Sequence, residues 1–567
     1  MKVKNLKAKM MVLKGQLPQH RIQSEASARA NPMSSPEPEV DLEDTDRLEG
    51  RAALVNNANA ALALAGAVRS TLGPRGSDKM LVGEGGEVVV TNDGVTVLET
   101  AKVEHPTANL LISTSSAQDR LARDGTTTTV LLTAELLRNA LELTRIGVHP
   151  SVIMNGYRIA LDEALSQLAE ISREAADKSE SKAVIATALA GKIDTKLASV
   201  LTDLALDAAA ALAQEEGGGD LERLRVKRLQ VASGKASDSE VVHGLVIRKQ
   251  RLDFTTPSAS DGGVIALVDG GLENRELMLD AEIEVRSLGV LAGFHQRTRE
   301  KLQAQVDHLA SLGVELLCVR DGIADEAHVM LTAAGITVYR RFEREDLERL
   351  ACLTGAAMVR DVGRMSARDV GEYSSRSEEK IENSWHLRID GNRGAAMTAL
   401  LRGTTPTMRE EVSRAFDDAL GVAHRLNAES SFLPGGGATQ IHLARYLRAY
   451  APSQKGREQL AIEGFADALE IIPRALAENA GLDPIDEILE LSSAQSKNGP
   501  WIGLDVMSGD KTDMASAGIT DPLFVARQAL TGATEAAISV LRIDDVLWAQ
   551  VEPGTPDWNS EESEDEI

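Results

Sequence analysis

The chain has 567 residues and a formal net charge of −25, enough length for several domains and an acidic balance that excludes a nucleic-acid wrapper. Apolar residues make up 43% and aromatics only 3%, so a globular core must be built from Ala, Leu, Val and Ile. Cys318 and Cys352 are too few for a disulfide framework and suit a reducing, cytoplasmic setting, and no apolar run is long enough to span a membrane. Arginine outnumbers lysine, and an acidic, lysine-poor, aromatic-poor surface fits high salt, where screening weakens self-repulsion.

Residues 1–49 read as a disordered extension. Met1 to Lys14 is basic but no apolar signal region follows, and a Pro- and acid-rich run leads from Met33 to Glu49. Met33 is a candidate start. Gly50 to Ser70 is alanine-rich at helical spacing and is broken by Thr71-Leu72-Gly73-Pro74-Arg75-Gly76. Two short strands, Glu87–Val90 and Val95–Leu98, are expected around a turn at Asn92-Asp93-Gly94. Ala108 to Ile146 is helical on both sides of a polar knot, Asp124-Gly125-Thr126-Thr127-Thr128-Thr129. Helices continue to Ala213, and Gly217-Gly218-Gly219 interrupts them.

The middle of the chain changes character. Strands are expected at Arg223–Val231, Val241–Arg248, Val264–Val268, Leu316–Val319 and Thr337–Arg340, with helices at Thr298–Leu312 and Asp325–Ala334. This is an α/β segment inserted into a helical one. Helical pattern returns from Met408 to His424, then comes the turn Pro434-Gly435-Gly436-Gly437. Long helices follow to Glu490, then a strand region at Leu504–Val506 and a last helix from Pro522 to Leu541. Glu552 to Ile567 is an acidic tail.

The knots carry the chemistry. Glycine followed by threonines at a helix start offers backbone N–H groups and hydroxyls to a phosphate. The neighbouring Asp124 could hold Mg²⁺, a hard cation that bridges phosphate oxygens. An aspartate capping the helix is the alternative for Asp124. Likewise the Gly73 turn reads as a helix stop, Asn92-Asp93-Gly94 as a plain turn, and Gly435-Gly436-Gly437 as either a linker or a loop open to phosphate. There is no Gly-rich Lys-Ser/Thr phosphate loop of the common nucleotidase kind, and no His/Cys cluster with zinc spacing. Neither cysteine has a protease-like histidine partner, so both read as inert thiols.

In order along the chain, TLGPRGSDKMLV (Thr71–Val82), TNDGVTVL (Thr91–Leu98), VEHP (Val103–Pro106) and DGTTT (Asp124–Thr128) resemble the N-terminal half of group II chaperonins, the archaeal thermosome and the eukaryotic cytosolic chaperonin. LRGTT (Leu401–Thr405), Asp418-Ala419-Leu420, GGGA (Gly435–Ala438), AIEGFADALEIIPRALAENAGLDP (Ala461–Pro484) and ATEAAISVLRIDDV (Ala533–Val546) are similar to the C-terminal half. The resemblance covers residues 50 to 550. It implies a mixed α and α/β multidomain fold: a mostly helical equatorial ATP-binding domain (50–180 and 432–551), a nested intermediate domain (181–244 and 400–431) and an inserted apical α/β domain that binds substrate (245–399).

The resemblance also implies an ATPase using ATP and Mg²⁺, and a chaperone that binds unfolded polypeptides. Its partners would be copies of itself or sister subunits in a double ring of roughly eight or nine per ring, with neither nucleic acid nor membrane. Asp124 would be the Mg²⁺ ligand, and Gly125, Thr126, Thr127 and Thr128 the phosphate cradle, approached from the other side by Leu72 and Gly73. Asp93 and Asp418 would orient and activate the attacking water, Gly436 would contact nucleotide, and Asp521 the ribose. Lys192, in Ala190-Gly191-Lys192, would sense the γ-phosphate, with Gly191 standing where the family carries serine.

Other departures are Arg123 in place of the glycine that precedes Asp-Gly-Thr-Thr, Leu252–Pro257 in place of a His-Pro motif, a divergent insertion around Leu272–Leu312, and the acidic tail. Arg123 either adds a cation near the phosphates or points away. The divergent apical segment leaves a second reading, a structural or regulatory ring subunit that binds ATP without folding clients.

Overall fold

The structure, a computed structural model, describes residues 46–548 apart from 84–85, 87, 102, 104, 214–224, 274–287 and 395. The chain divides into two compact units, Leu48–Val546 and the two ends, Met1–Arg47 with Leu547–Ile567. The first unit carries the fold. The N-terminal extension up to Thr45, the acidic tail, Gly217-Gly218-Gly219 and much of the insertion after Leu272 lie outside the described residues.

A helical body is made from both ends of this unit. Helices Arg51–Val68, Thr126–Arg145 and Pro150–Ile171 from the first part pack with Glu458–Leu469 and Leu523–Leu541 from the last around one apolar core. Leucine and alanine make up most of it, as the low aromatic content requires, and the alanines let the helices approach closely. Tyr157 and Phe465 meet edge to face at 5.8 Å, and the buried Tyr157 hydroxyl donates to the Leu136 carbonyl at 2.8 Å. Burying that hydroxyl without a partner would cost free energy, so this bond fixes how the Pro150–Ile171 helix seats.

A second apolar cluster joins helices Lys178–Ala188, Thr195–Leu212 and Pro406–Leu426 to a three-stranded sheet. In that sheet Met397–Arg402 is central, parallel to Val226–Val231 and antiparallel to Glu240–His243.

The third body is an eight-stranded sheet ordered Thr337–Tyr339, Val314–Val319, Gly263–Val268, Gly371–Ile381, Ser384–Gly391, Leu245–Ile247, with two short strands off this path. Its parallel strands are buried on both faces, so they read as continuous apolar runs. Ile265, Leu267, Leu316 and Cys318 face the Arg344–Thr354 helix side, while Ala266, Val268, Leu317 and Val319 join the cluster of Leu302, Val306 and Leu331 on the other. Burial pushes the Cys318 thiol far up, which makes it the inert thiol expected.

Three expectations need correction. Val95–Leu98 is not a strand but part of the helix Gly94–Thr100. The Asp93 carboxylate accepts from the Thr96 N–H at 3.0 Å and so caps that helix, while Val95, Val97 and Leu98 are buried. Capping and packing thus override the β-propensity of valine. The hairpin lies earlier, Lys79–Val82 against Val88–Thr91, and Asn92-Asp93-Gly94 leads out of it rather than turning it. Val241–Arg248 is likewise two strands in two sheets, Glu240–His243 and Leu245–Ile247. Gly244 breaks it at φ 92°, where a Cβ would stand 2.1 Å from an Asp390 carboxylate oxygen. The late strand is Ile502–Leu504, paired with Lys511–Asp513, and Val506 lies beyond it.

Gly156 gives a test of the close helix contact. A Cβ there would lie 2.5 Å from the Ala461 Cβ and 3.0 Å from the Glu458 carbonyl oxygen. In a free helix Gly→Ala gains about 1 kcal/mol. Here Gly156→Ala is expected to destabilise instead, by about 1–3 kcal/mol of overpacking. The midpoint of thermal loss of helix should fall; a rise would show that the two helices separate without cost.

Candidate functional site

The helical body and the second body meet around the Asp124 loop. The helix Pro106–Ala122 ends with Arg123 in the left-handed region (φ 59°), and Thr126–Arg145 begins after Gly125 (φ 79°). Asp124 stands between the two. It does not cap the helix, since Gly125 occupies that position without a side-chain bond. The capping alternative for Asp124 therefore falls away, and its carboxylate is left to face the junction. The loop is held from behind by Gln118, whose side-chain amide donates to the Asp124 carbonyl at 2.8 Å. The Thr126 and Thr127 side chains are buried, and Thr128 is half-buried, in the first turn. That turn's N–H groups precede any intrahelical acceptor and carry the positive end of the helix dipole.

Asp93 comes in beside it. A Cβ on Gly94 would lie 2.5 Å from the Thr127 hydroxyl, so only glycine lets the Asp93 segment approach the threonine turn. One Asp93 carboxylate oxygen accepts from the Thr96 N–H and from the Thr96 hydroxyl at 2.7 Å. Asp93 is thus a helix cap and a member of the charged cluster at once.

Lys192 links the segments. Its ammonium donates to the Asp418 carboxylate at 2.7 Å and lies 3.6 Å from the Asp124 carboxylate. Both Lys192 and Asp418 side chains are about four-fifths buried, at 21% exposure. Burial pushes the Asp418 carboxyl up to about 7, opposed by Lys192 and assisted by repulsion from Asp93 and Asp124. Burial works against the Lys192 charge as well, but Asp418 and Asp124 outweigh it and hold the ammonium protonated.

Asp521 pairs in register with Leu433 on a short sheet, and burial together with the nearby Asp124 pushes its carboxyl up to about 7. Leu72 and Gly73 follow the turn Arg69–Thr71, and their loop touches the Lys192 segment. A Cβ on Gly191 would stand 2.6 Å from the Gly73 carbonyl oxygen. Gly436 is not drawn into the charged cluster. At φ 58° it is packed against Leu504 and Met514, and its carbonyl accepts from the Leu504 N–H at 3.0 Å. Arg123 does not extend freely from the loop: it is 4% exposed, with its stem against Gly421 of the Asp418 helix.

The structure adds three residues that the sequence does not single out. Asn92 donates its amide to the Gly191 carbonyl at 2.8 Å, tying the segment before Asp93 to the Lys192 turn. Asn479 donates to the carbonyls of Arg69 (3.1 Å) and Leu72 (2.8 Å), and so clamps the Leu72–Gly73 loop. Gln118 is the third. Asn92 and Asn479 lie inside noted motifs, but nothing in their spacing says that their amides bond across 99 or 407 residues.

Among the described residues no group of three His, Cys, Asp or Glu side chains converges tightly enough to hold a metal ion by itself. One carboxylate facing a junction suits Mg²⁺ all the same, because that ion keeps waters and takes its remaining ligands from phosphate oxygens.

The TCP-1/cpn60 chaperonin family matches residues 64–551. A thermosome subunit of Methanocaldococcus jannaschii is 40% identical over 90% of this chain and 94% of its own length. The thermosome subunit alpha of Halobacterium salinarum is 40% identical over 89% of this chain and 90% of its own. A thermosome subunit of Pyrococcus abyssi is 38% identical over 90% and 93% respectively. With matched motifs in order along nearly the whole folded chain, this protein belongs to the TCP-1/cpn60 chaperonin family, as a group II chaperonin subunit.

Proposed function

We propose that this chaperonin subunit hydrolyses Mg-ATP at the junction around Asp124 and uses hydrolysis to cycle a double ring around unfolded polypeptides in the cytoplasm. The observation that carries the reading is the Lys192 ammonium bridging Asp418 and Asp124, which come from different bodies of the fold. A ligand that attracts Lys192 and repels or displaces those carboxylates changes how the bodies sit, which is the coupling an ATP-driven ring needs.

The roles rest on the resemblance to chaperonins, with the geometry of the junction in support. The Thr126–Thr128 turn and Gly125 would receive the phosphates, with Leu72 and Gly73 closing over from the Asn479-clamped loop and Gly436 and Asp521 on the nucleoside side, Asp521 at the ribose. Asp124 would hold Mg²⁺, which when bound neutralises phosphate charge and polarises the bond to be broken. Lys192 would meet the γ-phosphate. Asp418 would take the proton from water, and its carboxyl, pushed up to about 7, is poised near neutral pH for that task. Asp93 would orient the same water.

The domain assignment fits this reading. The switch of sheets at Gly244 supports a boundary between the intermediate segment 181–244 and the apical segment 245–399. The equatorial pieces would be 50–180 and 432–551, and 400–431 the intermediate return. Ring assembly is supported by the hairpin Lys79–Val82/Val88–Thr91, which leaves Met80, Val82 and Val88 more than half exposed. A two-stranded hairpin with bare apolar side chains is marginal alone and is stabilised by a neighbour. No helix among the described residues is long and apolar enough to cross a membrane.

Asp418→Ala is expected to keep ATP binding and ring assembly while hydrolysis falls about 10²–10⁴-fold. Phosphate release together with nucleotide titration measures both, and near-normal turnover removes Asp418 from the chemistry.

Asp124→Asn replaces a charged oxygen ligand with a neutral one and is expected to weaken Mg-ATP binding itself. Unchanged affinity in the presence of Mg²⁺ would end its metal role.

The charge of −25 per chain makes a third expectation. Screening length falls from about 30 Å at 0.01 M salt to about 3 Å at 1 M. Repulsion between neighbouring subunits should therefore dissociate rings in dilute buffer, and molar KCl should restore them. Light scattering across a KCl series reads this directly. A full-sized ring in dilute buffer would mean that the acidity is only a solvated outer face.

A further inference from the structure

We infer that Arg123 is a positioning residue: its buried stem fills the notch left by Gly421 and seats the Asp418 helix on the Asp124 loop. Arg123 adjoins Asp124 in sequence. It adopts φ 59° and ψ 5°, a conformation that disfavours a side chain with a Cβ, yet it is 4% exposed. Such a residue persists only where its surroundings fix it. Its N–H closes the Pro106–Ala122 helix by donating to the Asp119 carbonyl at 2.9 Å. Ala122, just before it, is buried in the same apolar cluster as Ala419 and Leu420.

The side chain then runs across Gly421. A Cβ built on Gly421 would lie 2.2 Å from Arg123 Cγ, 2.8 Å from its Cβ and 3.0 Å from its Cδ. Three methylene-bearing atoms of one residue thus occupy the place of a missing side chain on the other. Gly421 lies three residues after Asp418, on the same face of the Pro406–Leu426 helix. The fit therefore sets the distance from the Asp124 loop to Asp418. The atoms nearest a Cβ on Gly421 all belong to Arg123, and none to the threonine turn or the Leu72–Gly73 loop. Nucleotide binding should survive loss of the fit while the chemical step, which is sensitive to misplacements of about 1 Å, should not.

The inference rests on the assignment of Asp418 to hydrolysis, and the experiment separates the two. Steady-state ATPase and nucleotide titration are measured on full-length Arg123→Gly, Arg123→Lys, Gly421→Ala and the double variant Arg123→Gly/Gly421→Ala, with Asp418→Ala in parallel. Lysine keeps the stem atoms that fill the notch, so Arg123→Lys should retain most of the turnover that Arg123→Gly loses. Arg123→Gly should lose about tenfold or more in kcat with KM for Mg-ATP little changed. Gly421→Ala should lose at least as much, because its methyl group collides with the stem, and the double variant should recover most of that loss.

Equal turnover in Arg123→Lys and Arg123→Gly, a loss in KM rather than kcat, or no recovery in the double variant overturns the positioning role. If Gly421→Ala fails to assemble, the comparison of lysine with glycine at residue 123 still decides. An Asp418→Ala variant with normal turnover instead overturns the hydrolytic assignment. A dead Asp418→Ala beside a flat Arg123 series overturns this inference alone.

Discussion

One ammonium group, that of Lys192, holds a set of mutually repelling carboxylates at the junction of two bodies. Asp418 at 2.7 Å and Asp124 at 3.6 Å are joined by it, and Asp93 adds a further negative charge to the same neighbourhood. A partly buried carboxylate is expensive unless paired, and removing one partner of such a pair leaves the other charge uncompensated. The arrangement is therefore held by attraction to the Lys192 ammonium and opposed by repulsion among the carboxylates. That balance is visible in Asp418, pushed up to about 7 by burial although it is ion-paired. A junction so balanced is sensitive to any added cation or polyanion, which is what the proposed coupling to ATP requires.

The rest of the fold fixes the backbone around that cluster. Glycines are placed where main chains must touch: Gly191 against Gly73, and Gly94 against Thr127. Side-chain amides then lock the loops. Asn92 ties the Asp93 segment to the Gly191 turn, Asn479 ties Leu72 to the end of its own helix, and Gln118 ties Asp124 from behind. Each is a bond from side chain to main-chain carbonyl, the kind that holds an irregular loop without a sheet or a helix to do it. Arg123 belongs with these devices, and its stem adds to them by filling the space over Gly421.

Much of this is legible in the residues. The inserted α/β segment shows as continuous apolar runs alternating with amphipathic helices, and Val314–Val319 and Asp325–Ala333 lie where that pattern places them, to within two residues. The motifs Asp124–Thr128, Ala190–Lys192 and Asp418–Leu420 identify the residues that meet, through their resemblance to chaperonins. Pattern and structure part where local preference and packing disagree. Val95–Leu98 has strand-forming residues, yet the Asp93 cap and a buried helical face make it a helix. Asn92-Asp93-Gly94 has the composition of a hairpin turn, but the hairpin ends before it.

Motif order, through its resemblance to chaperonins, is enough to single out the chemical groups: the loop glycines, the threonine turn, four aspartates and one lysine. Those properties survive without coordinates. Which groups share a site is a matter of packing. Lys192 and Asp418 are 226 residues apart, and no local rule brings their charges to 2.7 Å. The place of Arg123 comes from packing too, because a notch over Gly421 exists only once two helices from distant parts of the chain have met. The physical reason is the same in both cases: charge pairing and steric fit act through space, over distances that sequence separation does not record.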